Sequence, residues 1–209
     1  MRFFYLFIST VLVLFMLRAA ADSSIVFNNA LFNKIRNQYD DDALERVQDW
    51  QQLLNDSHNL SIDEKLYQVN NFFNALDFVD DIKHWGKDDY WATPVEFLAT
   101  HGGDCEDFVI AKYFSLIELG VPAEKLRLMY VTAIRLRQAH MVLAYYEEPN
   151  SVPLVLDNIN QRILPASRRR DLLPVYSFNG DGLWLAKEQG RGQKVQQGGN
   201  NNLWNDLNK

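Results

Sequence analysis

Apolar residues recur every three or four positions through the first part of the chain, a spacing that places them on one face of an α-helix. The residues that follow it are Val26, Ala30, Leu31, Ile35, Leu44, Val47, Trp50, Leu53 and Leu54. Two capping boxes, each a hydroxyl residue followed three positions later by glutamate, predict further helix starts at Ser61 and Thr93. The N-terminal part of the chain is therefore predicted to be helical.

One more helix is predicted from Asp104 to Leu119, because apolar residues keep the helical period there and Gly120 and Pro122 supply a stop signal. The pattern then changes to short runs rich in β-branched and aromatic residues, which favour strands. These runs cover residues 126–134, 141–146 and 154–157. We therefore predict an α+β fold, in which N-terminal helices precede a helix that packs on an antiparallel sheet.

The first residues match a secretory signal peptide, since Arg2 precedes an apolar run over residues 3–17 and three alanines come just before Asp22. An uncleaved membrane anchor is the alternative, although this run is short for a membrane-spanning helix. After removal of the signal we expect no membrane insertion. The predicted organisation is a signal peptide at residues 1–21, one domain at residues 22–188 and a flexible tail, rich in glycine, glutamine and asparagine, at residues 189–209.

The charge of the chain excludes one large class of partners. The formal net charge is −6 at pH 7, and removal of the signal peptide takes away two arginines and no acids. Proteins that bind nucleic acid carry a basic stripe that neutralises phosphates, and the sequence has no such stripe. We therefore expect no nucleic-acid partner, while a cation or a cationic protein surface suits this acidity.

The single cysteine, Cys105, lies at the start of the helix predicted from Asp104. The first turn of a helix has unpaired N–H groups and the positive end of the helix dipole, which favour a thiolate. The neighbouring carboxylates of Asp104, Glu106 and Asp107 oppose this effect and raise the pKa of the thiol. A cation, a basic side chain or a metal ion is therefore expected to neutralise them.

A nucleophilic cysteine needs a histidine base and a group that orients the imidazole. Of four histidines, His140 begins a predicted strand, which holds its ring rigidly. If the two following strands form a hairpin with Tyr146 opposite Pro153, Asp157 lies diagonal to His140 on the same face. We therefore predict a triad of Cys105, His140 and Asp157. The alternatives are a buried inert thiol, a polar residue at a strand end and a turn-forming aspartate.

In the predicted reaction His140 deprotonates Cys105 and later protonates the leaving amine, while Asp157 orients the imidazole. The backbone N–H of Cys105 is the first oxyanion donor, and Tyr90 or Trp91 is a candidate for the second. The candidate metal ligands are Asp104, Glu106 and Asp107. Such hard oxygen ligands favour calcium over zinc, although acids in a first helical turn also serve as partners of the helix dipole.

Several blocks of the sequence resemble one known family, the bacterial transglutaminase-like cysteine proteinases, or LapG-type periplasmic proteases. The blocks are 88–94, 103–108, 139–143 and 154–158, extended by 170–172 and 174–179. The resemblance implies a papain- and transglutaminase-like fold with the triad on Cys105, His140 and Asp157. It also implies a calcium site beside the nucleophile, which falls on Asp104 and Glu106 and extends to Asp107.

The same resemblance implies a biological role in the periplasm. Proteases of this type cut the N-terminal region of a large surface adhesin at a di-alanine site, which frees the adhesin from the outer membrane and disperses the biofilm. An inner-membrane receptor that senses cyclic di-GMP holds the protease in check through its periplasmic domain. We therefore expect these two partners, the adhesin as substrate and the receptor as regulator.

Two other functions fit the same residues. The first is a thiol amidase or transglutaminase that acts on cell-wall peptides. The second is a non-catalytic, calcium-stabilised binding module whose triad has no catalytic role. Reactivity of Cys105 toward a thiol probe separates the second function from the enzymes, because a catalytic thiolate reacts faster than an ordinary exposed cysteine.

Overall fold

Six α-helices occupy the first part of the chain in the computed structural model, which describes residues 25–180, 182–185 and 193–197. The helices are α1 (Asn29–Gln38), α2 (Asp41–Ser57), α3 (Ile62–Phe73), α4 (Asp81–His84), α5 (Pro94–Ala99) and α6 (Cys105–Glu118). Two short 3₁₀ helices follow at Ala123–Lys125 and Ala166–Arg168. The helical N-terminal part predicted from the apolar spacing is thus confirmed.

Local signals in the sequence set the helix ends. Ser61 and Thr93 form the two predicted capping boxes, in which each side chain accepts from the backbone N–H three positions later and the glutamate accepts in return. Helix α6 ends where predicted, because Gly120 adopts a left-handed conformation with φ of 82° that side-chain-bearing residues rarely take. Both helix starts and this helix end follow from the sequence.

The second half of the chain forms one antiparallel sheet of seven strands in the order β6-β5-β4-β3-β7-β8-β9. Its strands are β3 (Leu126–Ala133), β4 (Gln138–Tyr145), β5 (Leu154–Leu156), β6 (Leu164–Pro165), β7 (Leu172–Asn179), β8 (Gly182–Leu185) and β9 (Gln193–Gln197). Two shorter strands, β1 (Asp77–Phe78) and β2 (Gly102–Gly103), pair in parallel outside this sheet. The antiparallel sheet is confirmed, whereas the β1–β2 pair was not predicted.

Helix α6 packs against one face of the sheet. Phe108 and Leu116 of α6 share a buried core with Leu128 of β3 and Leu143 of β4. Full burial of an apolar side chain of this size stabilises the fold by about 1.5–3 kcal/mol. A smaller cluster, which includes Val131, covers the opposite face, as expected when alternate strand residues point to opposite sides. The predicted α+β fold is therefore confirmed.

The predicted hairpin register is also confirmed. Strands β4 and β5 pair Leu143 with Leu156 and Tyr145 with Leu154, which is the register that follows from Tyr146 opposite Pro153. A shift of one residue would have turned Asp157 to the other face of the sheet.

The C-terminal segment that was predicted to be a flexible tail contains a strand. Residues 193–197 of the predicted flexible tail form strand β9, because the backbone of the edge strand β8 offers hydrogen bonds whatever the side chains of its partner. The predicted signal peptide, residues 1–21, lies outside the described residues. Within the described ranges, no helix has the length and apolar character needed to cross a membrane.

Candidate active site

Cys105 is the first residue of α6, and two acids build the helix start around it. Asp104 is the N-cap, and its side chain accepts from the N–H of Glu106 at 3.3 Å. Asp107 accepts from the N–H of Asp104 at 3.2 Å, which completes a capping box. Gly103 must be glycine, because a Cβ there would collide with the Asp107 carboxylate. Asp104 and Asp107 thus stabilise the start of α6, in addition to any role in binding a metal ion.

The thiol of Cys105 is half-buried and faces negative charge. Its Sγ donates to Glu106 Oε2 at 3.1 Å. Burial first, and then the charges of Glu106 and Asp104, raise the pKa of this thiol well above its usual value. The N–H of Met141 acts in the opposite direction but has a smaller effect. In these surroundings the cysteine is a thiol, and it becomes a thiolate more readily once the carboxylates are neutralised.

His140 on β4 and Asp157, directly after the adjacent strand β5, form a buried pair. His140 Nε2 lies 2.8 Å from Asp157 Oδ1, and the two side chains are 2% and 0% exposed. Burial by itself would raise the pKa of Asp157, but the hydrogen bonds that its carboxylate accepts from His140, Arg169 and the N–H of Ile159 outweigh burial and lower the pKa to about 2. Because an ionised carboxylate only accepts hydrogen bonds, Nε2 carries the proton of this contact, and Nδ1 holds the lone pair in the neutral form of the ring. His140 is therefore oriented as a base.

Cys105 and His140 line one cavity of about 580 Å³, whose wall also contains Phe78 and Gln138. The structure thus brings the three predicted catalytic side chains together, with Asp157 behind His140. Neither proposed second oxyanion donor lines this cavity. The hydroxyl of Tyr90 donates to Glu96 Oε1 at 3.0 Å, and the ring of Trp91 stacks on Phe178, so both side chains have partners elsewhere.

Two further acids, Asp81 and Asp89, join the predicted metal ligands. Oxygens of Asp81, Asp104 and Asp107 lie within 4.8 Å of one another, and so do oxygens of Asp81, Asp89 and Glu106. Asp81 is buried, and its Oδ1 has no hydrogen-bond partner among the described residues. Its other oxygen accepts from the N–H of Tyr90. Both oxygens of Asp107 already accept from backbone N–H groups of Ala92 and Asp104.

The chemistry of this acidic cluster fits a hard divalent cation. Burial, and then the neighbouring acid Glu106, raise the pKa of Asp104 to about 9, and burial also raises the pKa of Glu106. Burial raises the pKa of Asp107 to about 8. These carboxylates are unfavourable as ions without a positive partner, and carboxylate oxygens are the ligands that calcium prefers. The cluster can therefore hold calcium through Asp81, Asp89, Asp104 and Glu106, with Asp107 bracing the helix start.

Sequence reasoning missed Asp81, Asp89 and Arg169. Asp81 and Asp89 each belong to a pair of consecutive aspartates, Asp80-Asp81 and Asp88-Asp89, but no spacing rule connects these pairs to α6. Arg169 is 2% exposed, and its Nη2 donates to Asp157 Oδ2 at 2.6 Å and to Asp171 Oδ2 at 2.8 Å. The run of three arginines before Asp171 was visible in the sequence, yet only the fold shows which one is buried.

A thiol at the start of a helix that packs on an antiparallel sheet, beside a buried histidine–aspartate pair, is the arrangement of transglutaminase-like cysteine proteases. The model of one family, the bacterial transglutaminase-like cysteine proteinases, matches residues 29–171, which is more than half of the chain. The chain belongs to this family and is a cysteine protease by membership. A search among curated proteins gave no match.

Two solved structures of a Legionella pneumophila protein, LapG, are similar to the chain over nearly their whole length. The calcium-bound form has 43% sequence identity and a TM-score of 0.72, over 84% of this chain and 94% of LapG. The EGTA-treated form has 39% identity and a TM-score of 0.74, over 88% of this chain and 97% of LapG. The chain is thus similar to LapG in sequence and in fold.

Proposed function

We propose that the protein is a calcium-dependent cysteine endopeptidase of the periplasm that cleaves the N-terminal region of a large surface adhesin. Cleavage releases the adhesin from the outer membrane and disperses the biofilm. The observation that carries the proposal is the cavity that contains Cys105 and His140, with Asp157 hydrogen-bonded to His140 at 2.8 Å. The similarity to LapG, which was solved in calcium-bound and EGTA-treated forms, supports the calcium dependence.

The reaction follows from the protonation states of the three side chains. His140 Nδ1 takes the proton of the Cys105 thiol, and the sulfur attacks the peptide carbonyl carbon. The resulting oxyanion accepts from the backbone N–H of Cys105 at the start of α6. The imidazolium then protonates the leaving amine as the C–N bond breaks, and a thioester remains. His140 removes a proton from water, which hydrolyses the thioester and restores the thiol.

Asp157 and the acidic cluster prepare the site for this reaction. The ionised carboxylate of Asp157 fixes the ring orientation of His140 and stabilises its charged form. Asp81, Asp89, Asp104 and Glu106 would hold calcium, whose charge offsets the repulsion that raises the pKa of the thiol. Glu106 then has a positive partner and no longer needs the hydrogen bond from Sγ that it accepts now.

The test combines the protein without its signal peptide with an N-terminal fragment of the adhesin. We expect a single cleavage in calcium and none in EGTA, and both Cys105→Ala and His140→Ala abolish it. His58→Ala is the matched control, because His58 is exposed and lies away from the cavity. Cleavage by the Cys105→Ala variant would overturn the proposal.

Regulation by a cyclic di-GMP receptor is the remaining part of the proposal. The periplasmic domain of an inner-membrane receptor binds the protease and keeps it from the adhesin. Adding this domain to the cleavage reaction is expected to stop product formation, and the two proteins are expected to elute together on size exclusion. Undiminished cleavage at an excess of the receptor domain contradicts this part and leaves the protease activity untouched.

A further inference from the structure

Five arginines line a second cavity, of about 460 Å³, beside Asp157. They are Arg135, Arg162, Arg168, Arg169 and Arg170. Three separate parts of the chain supply them, namely the turn between β3 and β4, the loop between β5 and β6 and the segment before β7. The only acids in the wall of this cavity are Asp157 and Asp171. Folding therefore concentrates positive charge at one place in a chain whose net charge is −6.

The acids of this cavity do not neutralise its exposed arginines. Both oxygens of Asp157 are taken by His140 and Arg169, and both oxygens of Asp171 accept from Arg169. The other four arginines are exposed, and in the described part of the chain none of them forms an ion pair. In addition, the buried Nη1 of Arg169 has no hydrogen-bond partner there. The cavity therefore has an excess of guanidinium donors over acceptors.

This cavity adjoins the cavity that contains Cys105. Leu136 and Ile159 line both of them, and these side chains are 53% and 50% exposed. Asp157 lies in the arginine cavity, while its partner His140 lies in the other. An extended peptide that passes Cys105 and crosses Leu136 and Ile159 thus reaches the arginines directly. If these arginines were only solvated surface residues, there would be no reason for three separate chain segments to bring them next to the cavity that contains Cys105.

We infer that the arginine cavity is a substrate subsite, which binds acidic side chains of the peptide on one side of the bond that is cleaved. This inference rests on the proposed function and adds a substrate class to it. Guanidinium groups bind carboxylates by donating paired, charge-assisted hydrogen bonds, and several arginines that lie close together can bind more than one carboxylate. The substrate class is therefore an extended segment with aspartate or glutamate near the cleavage site.

A binding experiment tests the subsite without relying on cleavage. The Cys105→Ala protein is titrated with a fluorescent peptide that carries Ala-Ala between two Asp-Asp pairs, and with the same peptide containing Asn in place of Asp. We expect the acidic peptide to bind roughly tenfold tighter, with a difference that shrinks as salt is added. The double change Arg135→Gln and Arg162→Gln is expected to remove the difference. Equal affinities for the two peptides would overturn the inference.

A matched control separates the cavity from general charge. Lys34 and Arg36 are exposed on α1, so their change to Gln removes the same two charges elsewhere. This variant is expected to keep the preference for the acidic peptide. Loss of the preference in the control to the same extent as in the arginine variant contradicts the subsite. Circular dichroism checks that both variants are folded.

Cleavage of a peptide library by the active protein shows whether the arginine subsite or the protease function itself is wrong. If acidic residues are enriched at one fixed position, and the arginine variant loses this enrichment, the subsite is supported. If Cys105-dependent cleavage occurs without acidic enrichment, the protease function stands and the subsite is wrong. If the acidic peptide binds through Arg135 and Arg162 but nothing is cleaved, the anion site stands and the proposed protease function fails.

Discussion

At Cys105 two electrostatic influences oppose each other within one helical turn. The N–H groups and dipole at the start of α6 favour a thiolate, whereas burial and the charges of Glu106 and Asp104 raise the pKa of the thiol. Asp104 also holds the helix start together, because it forms the capping box of α6 with Asp107. A bound cation removes the conflict, because it neutralises the acids while Asp104 continues to cap the helix.

The negative charge of Asp157 is expected to affect the rate of peptide cleavage more than the shape of its side chain does. Asp157→Asn preserves the size of the side chain but removes the negative charge that fixes the Nε2 proton of His140. We expect kcat to fall by about 10²–10⁴-fold with little change in KM. The measurement is the steady-state rate of peptide cleavage in saturating calcium.

Asp171→Asn is the matched control for this change. Asp171 pairs with the same arginine as Asp157 but does not touch His140. Its variant is expected to lose less than tenfold in kcat. Equal losses in both variants would mean that the arginine network as a whole, and not the charge on Asp157, supports catalysis.

Helix α6 connects Cys105 to Asp157, the member of the His140–Asp157 pair that lies farther from the thiol. Lys112 lies two turns after Cys105, is completely buried, and donates from Nζ to Asn74 Oδ1 at 2.7 Å. Asn74, the C-cap of α3, donates from Nδ2 to the backbone oxygen of Asp157 at 2.9 Å. One helix thus positions the thiol at its start and, through Asn74, the strand end that carries Asp157.

The buried ammonium of Lys112 makes stability depend on pH. Burial lowers the pKa of Lys112 from 10.5 to about 7 in the folded protein. Between these values the unfolded chain binds more protons than the folded one, so the free energy of unfolding rises with pH from about 7 to 10.5. The slope of this contribution approaches about 1.4 kcal/mol per pH unit.

Lys112→Met is expected to remove this rise, because it keeps the apolar stem and has no titrating group. Urea unfolding at pH 7, 8.5 and 10, with EGTA present, measures the effect in both proteins. Lys65→Met serves as the control, because Lys65 is only half-buried and donates from Nζ to the backbone oxygen of Leu119. The same increase of stability with pH in the Lys112 variant would show that other groups cause it.

The sequence predicted the features of the site that depend on local signals. The capping residues located the helix starts, and the hairpin register placed Asp157 beside His140 because strand side chains alternate with a period of two. Asp81 and Arg169 escaped prediction, because their roles depend on contacts with segments far away in sequence. The β1–β2 pair escaped for the same reason, since two residues carry no periodicity.

In the whole molecule, the cavity that contains Cys105 and His140 adjoins two regions of opposite charge. The acidic cluster of Asp81, Asp89, Asp104 and Glu106 lies on the side of Cys105, and the arginine cavity lies on the side of Asp157. The net charge of −6 conceals this division. The proposed calcium ion and the proposed acidic substrate segment each have the charge that complements the region next to them.

Calcium binding is expected to stabilise the entire fold, because the acidic cluster joins α4, the segment before α5 and the start of α6 and exists only in the folded chain. A ligand present at 100 times its Kd stabilises a protein by about 3 kcal/mol, which raises Tm by several degrees for a domain of this size. Scanning calorimetry with calcium and with EGTA measures the shift. Glu106→Ala and Asp81→Asn are expected to abolish it.

Asp42→Asn provides the control for that experiment, because Asp42 is an exposed acid in the first turn of α2. Its variant is expected to show the full calcium shift, since an acid beside a helix dipole alone does not hold the ion. The comparison depends on the shift and not on the starting Tm, so a destabilised variant still gives an answer. If Glu106→Ala and Asp81→Asn keep the full shift, the acids around Cys105 act only as capping and dipole partners, and the thiol must be activated without calcium at this position.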